Sequence, residues 1–488
     1  MELTPELLNR LKEYSQSDFY PFHMPGHKRQ IQEKFLGEFP NPYSIDITEI
    51  EGFDNLHHPE GILKESMDWA AKLYGSDRTY YLVNGSTSGI LSAICGTTEN
   101  GGKILMSRNC HKSAYHGVFL NNLKIKYVYP QILDEFGLQG GLMAEKIQDM
   151  LKEDPDIQAV FVVSPTYDGI VSDIKRMGEI VHRYRIPLIV DEAHGAHFSF
   201  GRESGFPVSA LELGADVVIQ SLHKTLPAFT QTAVMHVKKG YVDLDKIDRY
   251  IHIYQTSSPS YLLMAGIDNC LSWMSGEGKK RMKNFSENLS QMRENLQKMK
   301  VLKLLKEEEK GKAGIFDLDK SKIIVSSAGS CMDGISLGSL LREKYHLEME
   351  MCGPDYVTAI TTVADSPEGL SRLEKALMEI DEGLCREERE SGLEMRNDIQ
   401  KINSFKAPVI CMTLSDAFNA DKEQVGLSDS VGKISTEFIY LYPPGIPLVV
   451  PGERMTEEMV LLVEDYKKRG FPVQGLKDQF CKSIFVVK

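Results

Sequence analysis

From about residue 80 the chain repeats one pattern: a short apolar run, a polar cluster, then a stretch whose apolar residues recur at helical period. The runs fall at residues 80–83, 103–106, 124–128, 159–163, 187–190 and 216–219. Runs that are apolar without alternation read as strands covered on both faces, and the helices between them supply the cover. The pattern predicts an α/β domain with a mainly parallel sheet. Helices are expected over residues 60–74, from a Ser86 cap to Cys95, and over 111–120, 142–151, 173–183 and 207–213.

In such sheets ligands bind beyond the carboxyl ends of the strands. Four polar clusters follow strand-like runs: Asn84-Gly85-Ser86-Thr87-Ser88, Asn109-Cys110-His111-Lys112, Asp191-Glu192-Ala193-His194 and Ser221-Leu222-His223-Lys224. Each alone has a plain structural reading, as a turn, a helix opening or a strand end. Together they offer hydroxyl and backbone donors at a helix start, where a phosphate is well held. They also offer a flat imidazole, His111, able to stack on a ring. Asp191 is a carboxylate able to keep a pyridine nitrogen protonated, with His194 beside it as support. Lys224 is an amine for an aldehyde, with Ser221 and His223 flanking it. That set meets the needs of pyridoxal 5'-phosphate.

The remaining chain divides around this core. A helix is expected over residues 4–15, an ordered loop at Pro21-Phe22-His23-Met24-Pro25-Gly26-His27-Lys28, and irregular chain over 41–59. The expected division is an N-terminal arm and entrance loop (1–59), a cofactor-binding large domain (60–278), a charged helical connection (279–310) and a smaller C-terminal α/β domain (311–488). In the last of these, strands are expected at 323–325, 357–361 and 438–440, and helices at 334–345, 367–382 and 455–468. Residues 385–405 carry no assignment. With 488 residues the chain exceeds the usual size of one core.

Several functions are excluded. A net charge of -13 argues against a general electrostatic hold on nucleic acid. The eight cysteines lack CxxC spacing, which argues against a zinc ribbon or a disulfide framework. His57-His58 has no further ligands at a recognisable spacing, so no metal is expected. No apolar stretch reaches the roughly 20 residues that span a bilayer, and the polar start is unlike a secretory signal; a cytoplasmic protein is expected. Asp191-Glu192-Ala193-His194 also spells a motif of nucleotide-driven motors. Those need a G-x-x-x-x-G-K-[ST] loop, whereas Gly426 and Gly432 are one residue too far apart and Ile434 follows Lys433.

The segments FHMPGHK (22–28), NGSTSG (84–89), SRNCHKS (107–113), SPTYDG (164–169), DEAHGAH (191–197), SLHKTLPAFTQ (221–231) and LYPPGIPLVVPGE (441–453) carry a resemblance along most of the chain. In order and spacing the sequence resembles the ornithine/lysine/arginine decarboxylase family, a branch of the aspartate-aminotransferase-like, fold type I pyridoxal-phosphate enzymes. The resemblance implies Lys224 as the cofactor lysine, Asp191 as the partner of the pyridine nitrogen and His111 as the stacking ring. Ser86, Thr87, Ser221 and His223 are implied on the phosphate side, Ser86 and Thr87 foremost. It further implies that HMPGHK and YPPGIPLVVPGE border the substrate entrance, with His27 and Glu453 as substrate contacts, Glu453 at the distal cationic end. Larger members carry a receiver-like N-terminal domain. Here the motif begins at Pro21, so the resemblance implies the short form.

The implied reaction is decarboxylation of a basic L-amino acid in polyamine metabolism, with arginine (to agmatine) preferred narrowly over lysine and ornithine. The implied assembly is a homodimer with its active site near the subunit interface, and no nucleic acid or membrane partner. The rivals are another enzyme of this cofactor class, an aminotransferase or an acyl-transferring synthase, and a cofactor-binding regulator without turnover. Fold alone does not choose among them.

Overall fold

The computed structural model describes residues 6–30, 40–391, 407–442 and 445–488. Its largest sheet holds β1 (Arg78–Leu82), β2 (Lys103–Ser107), β3 (Lys124–Val128), β4 (Ile157–Val163), β5 (Leu188–Asp191), β6 (Val217–Gln220) and β7 (Ala233–Val237). The spatial order is β1-β7-β6-β5-β4-β2-β3. β7 is antiparallel to both neighbours, and every other pairing is parallel. Six of the seven strands therefore point the same way and deliver their carboxyl ends to one edge.

Alternate residues of each strand enter different cores, as the pleat requires. Ala159 and Phe161 pack in one buried cluster, Val160 and Val162 in another across the sheet. That double burial is why the strands are apolar throughout. Helices Gly85–Thr97, Lys112–Leu120, Ala144–Glu153 and Ile174–Val181 fill the crossovers.

Two expected helices end differently. Residues 207–213 form hydrogen-bonded turns, because the Glu192 carboxylate draws in the Ser209 hydroxyl and the Ala210 N–H. The charged helix Lys279–Leu296 stops short of residue 309. The Asp381 carboxylate accepts the backbone N–H groups of Lys300, Val301 and Leu302 and pulls the chain out of helix.

Beyond that helix an antiparallel sheet forms from β8 (Lys303–Leu304), β9 (Lys322–Ser326), β10 (Met351–Cys352) and β11 (Tyr356–Ile360), in the order β8-β9-β11-β10. Helices Gly334–Tyr345 and Pro367–Ser391 accompany it. Part of the unassigned stretch 385–405 thus belongs to the latter helix, and its residues 392–405 lie outside the described chain. Further on, Pro447–Val449, Ile439–Leu441 and Val473–Gln474 make a small antiparallel sheet.

The N-terminal arm bridges the two α/β regions. Tyr20–Phe22 pairs in parallel with Leu347–Met349. The Gly26 N–H then donates to the His223 carbonyl at 2.6 Å, and its carbonyl accepts from Thr362 Oγ1 at 2.7 Å. A Cβ at Gly26 would lie 2.5 Å from the Leu226 carbonyl oxygen, so only glycine allows this approach. Among the described residues no helix is long and apolar enough to cross a membrane.

Candidate active site

The carboxyl ends of β1, β2, β4, β5 and β6 open on one cavity of about 280 Å³, and the small region and the arm complete its wall. Ser86, Thr87, His111, Asp191, His194, His223 and Lys224 all line it. Ser221 is fully buried just behind, its hydroxyl bonded to that of Ser86.

Lys224 sits in a single helical turn, Leu222–Thr225, entered directly from β6. Its Nζ lies 2.9 Å from His194 Nε2. Burial pushes the amine below its ordinary value, against the pull of the Asp191 and Glu350 carboxylates. Asp191 ends β5 inside the core, where burial raises its pKa; the Lys224 charge and the Ala193 N–H oppose that rise. Desolvation likewise holds His111 down to about 3, His223 to about 4 and His194 well below the imidazole range. All three imidazoles are therefore neutral near pH 7. His111 Nδ1 is fixed by Ser113, accepting its N–H at 3.2 Å with the hydroxyl at 2.8 Å. His223 Nδ1 is 2.9 Å from the Thr232 carbonyl.

Ser86 does not cap its helix as expected. The helix begins one residue earlier at Gly85, whose φ of +71° suits glycine, and Asn84 gives no side-chain capping bond. The first-turn N–H groups are left without a side-chain oxygen, and Gly85, Ser86 and Thr87 turn that end toward the cavity. An anion would satisfy those donors.

Two buried polar atoms of the wall have no hydrogen-bond partner: His194 Nδ1 and Asn109 Oδ1. Buried polar groups are rarely left so. With the uncapped helix end, a stacking-capable imidazole, a buried carboxylate and a buried amine, these atoms fit pyridoxal 5'-phosphate. Ser86, Thr87 and Ser221 would hold its phosphate, His111 its ring face and Asp191 its nitrogen. Lys224 would take its aldehyde, and His194 its ring oxygen side.

Two expected substrate contacts lie elsewhere. Glu453 is 1% exposed and absent from the cavity wall. Its oxygens accept from Arg108 Nε at 3.2 Å and Nη2 at 3.1 Å, and from the Val450 N–H at 2.9 Å. Arg108 spends its other N–H groups on the Tyr115 hydroxyl and the Pro447 and Leu448 carbonyls. Glu453 is thus the counter-ion of a buried arginine, set back from the cavity wall. His27 also falls outside the wall, its Nδ1 accepting the Arg29 N–H at 3.1 Å. Of the same loops, Met24, Tyr442 and Ile446 do reach the cavity; Pro443 and Pro444 lie outside the described residues.

The wall also holds Tyr167, Asp168 and Glu350, for which no role was expected. The first two follow β4, inside the SPTYDG segment, and the strand-end rule that found Asp191 would have found them. Glu350 lies between two short strands of the small region, where no local pattern marks it.

Residues 5–324 match the family model described as Orn/Lys/Arg decarboxylase, major domain, and residues 400–468 match the C-terminal domain of the same family. The arginine decarboxylase of Bacillus subtilis (strain 168) is 32% identical over 487 residues, covering 99% of this chain and 97% of that one. The inducible lysine decarboxylase of Escherichia coli (strain K12) is 26% identical, covering 93% and 76%. In fold, the chain is similar to the solved constitutive lysine decarboxylase of E. coli, with a TM-score of 0.74 at 19% identity, covering 99% and 82%.

Proposed function

Because this chain belongs to the Orn/Lys/Arg decarboxylase family, we propose that it releases carbon dioxide from a basic L-amino acid, with arginine preferred and agmatine formed, as a cytoplasmic homodimer in polyamine metabolism. The observation that carries the choice of reaction is the charge of the cavity wall. Among the described residues it holds the carboxylates Asp168, Asp191 and Glu350, no arginine, and Lys224 as its one lysine. An arginine clamped on the α-carboxylate would stabilise the group that must be lost, and would do so more in the ground state than in the transition state. An acidic wall instead attracts the cationic side chain of the substrate.

Pyridoxal 5'-phosphate supplies an electron sink for the pair left when the carboxylate departs. The chain's own residues supply the rest. His111 and the Gly85–Thr87 turn fix the plane and the anionic end of the site. Asp191, deep and desolvated beside Lys224, keeps a proton on the ring nitrogen. The neutral His194 accepts a hydrogen bond at the Lys224 amine and steadies it as nucleophile. Decarboxylation consumes one proton at the α-carbon, and Lys224, paired with His194, is positioned in the wall to supply it. Preference for arginine rests on the Bacillus relative of that name. A dimer is supported by Tyr43, Ile50, Phe53 and Ile62, which leave apolar side chains exposed along the segment after the arm.

The test is release of carbon dioxide and amine by the purified protein with pyridoxal 5'-phosphate, given arginine, lysine and ornithine separately. Strong turnover of one, without keto acid or acyl-CoA, supports the reading. Turnover that requires either co-substrate, or none at all, replaces it.

A further inference from the structure

With Glu453 committed to Arg108, the distal charge of a basic substrate needs another receptor. Glu350 has the required placement. It joins the residues Leu347–Met349 to β10, so it reaches the cavity from the small region and not from the strand ends that carry Asp191 and Lys224. Its Oε2 accepts the Met24 N–H at 2.8 Å, and its Oε1 accepts from the Tyr167 hydroxyl. A carboxylate has about four acceptor positions, so each oxygen keeps capacity after these contacts.

No described lysine, arginine or histidine forms an ion pair with it. The buried Lys28 and Lys224 feel its charge only at longer range: Lys28 gives its amine to the carbonyls of His23 at 2.9 Å and Ile360 at 2.7 Å, and Lys224 lies against His194. A carboxylate in a cavity wall, oriented by two hydrogen bonds and with no cation in ion-pair contact among the described residues, is arranged to receive one from outside the chain.

A chain of contacts runs from Glu350 to the Lys224 amine. The Tyr167 ring, which Glu350 holds by its hydroxyl, meets the edge of His194 with centroids 4.9 Å apart, and His194 bonds Lys224. Glu350 is thus linked to the amine, where the α end reacts, through the rings of Tyr167 and His194. Asp168, adjacent to Tyr167, gives the same wall a second carboxyl; its one described hydrogen bond, from Thr358 Oγ1, is long at 3.4 Å. Burial pushes Asp168 up to about 7, so it takes up charge readily when a cation arrives.

Resting on the proposed decarboxylation, we infer that Glu350, with Asp168 as the second carboxyl, is the residue that recognises the distal cationic group of the substrate and sets the preference for basic over neutral amino acids.

The experiment compares L-arginine with L-citrulline, its uncharged isostere, on the holoenzyme and on Glu350→Gln. The native enzyme should favour arginine strongly. Glu350→Gln should lower kcat/KM for arginine about 100-fold, mostly through KM, and leave citrulline within about threefold, so the discrimination collapses. Glu350→Asp, which keeps the charge, should retain the preference for arginine over citrulline. Unchanged cofactor absorbance and Tm in each variant exclude a collapsed site. Equal losses for both substrates, or an unchanged KM for arginine, overturn the inference. Binding is read separately, from the change in visible absorbance on titrating L-arginine. If the native protein turns over no basic amino acid, the decarboxylase reading falls. A saturable change lost in Glu350→Gln would then still support cation recognition, and its persistence would end it.

Discussion

Two buried charged places lie close together in the chain and differ in one respect. At Arg108 every guanidinium N–H has an acceptor, and Glu453 is bound from two sides. One residue on, at Asn109, the cavity wall begins, where His194 Nδ1 and Asn109 Oδ1 have no partner and Glu350 has no ion pair among the described residues. Both places are desolvated, and both have shifted pKa values: Arg108 is raised beside Glu453, while Lys224 is lowered. Burial and perturbed ionisation therefore do not separate a working site from a structural one. What differs between these two places is the completeness of their hydrogen bonding, although buried atoms elsewhere, such as His236 Nε2, also have no partner.

Substitutions can break or sharpen that contrast. Lys224→Ala should cut turnover on the order of 10⁴-fold or more while leaving the melting temperature near native, measured by scanning calorimetry. A large drop in Tm would put Lys224 with the structural group. Glu453→Ala should do the opposite, leaving Arg108 buried without a counter-ion and costing about 3–5 kcal/mol in denaturant unfolding. Replacing both Arg108 and Glu453 by methionine should cost less than the two single changes summed. Additive losses would show that the pair does not act as a unit. Gly26→Ala forces a Cβ against the Leu226 carbonyl and should cost about 1–3 kcal/mol, with weaker activity because the arm packs on the lysine turn. Smallest of all, Lys64→Ala breaks an exposed pair with Asp68 one helical turn away. It should change stability by no more than about 0.5 kcal/mol.

The sheet was legible because its strands are buried on both faces, which removes alternation from runs such as 159–163 and makes them stand out. The strand ends were legible for the same reason, since a parallel sheet must gather them. Glu453 was expected at the substrate, and sequence order cannot show that Arg108, 345 residues away, pairs with it behind the cavity wall. Glu350 escaped notice because it joins two short strands and meets Tyr167 and Met24 only through the folded chain. Residues 207–213 have the composition of a helix, and the Glu192 carboxylate overrides it.

The arm has a consequence in time. Tyr20 bonds Asp365, and Met24 bonds Glu350 at a separation of 326 residues. At about 5–20 residues per second of synthesis, that separation corresponds to tens of seconds on the ribosome. Throughout that interval the first-made segment can meet the Lys224 turn through Gly26 and yet lacks its partners at Glu350 and Asp365. A nascent chain halted before residue 350 would carry most of the large sheet and yet no finished cavity. Competence to bind a substrate thus arrives late and all at once, when the earliest and latest pieces of the wall meet.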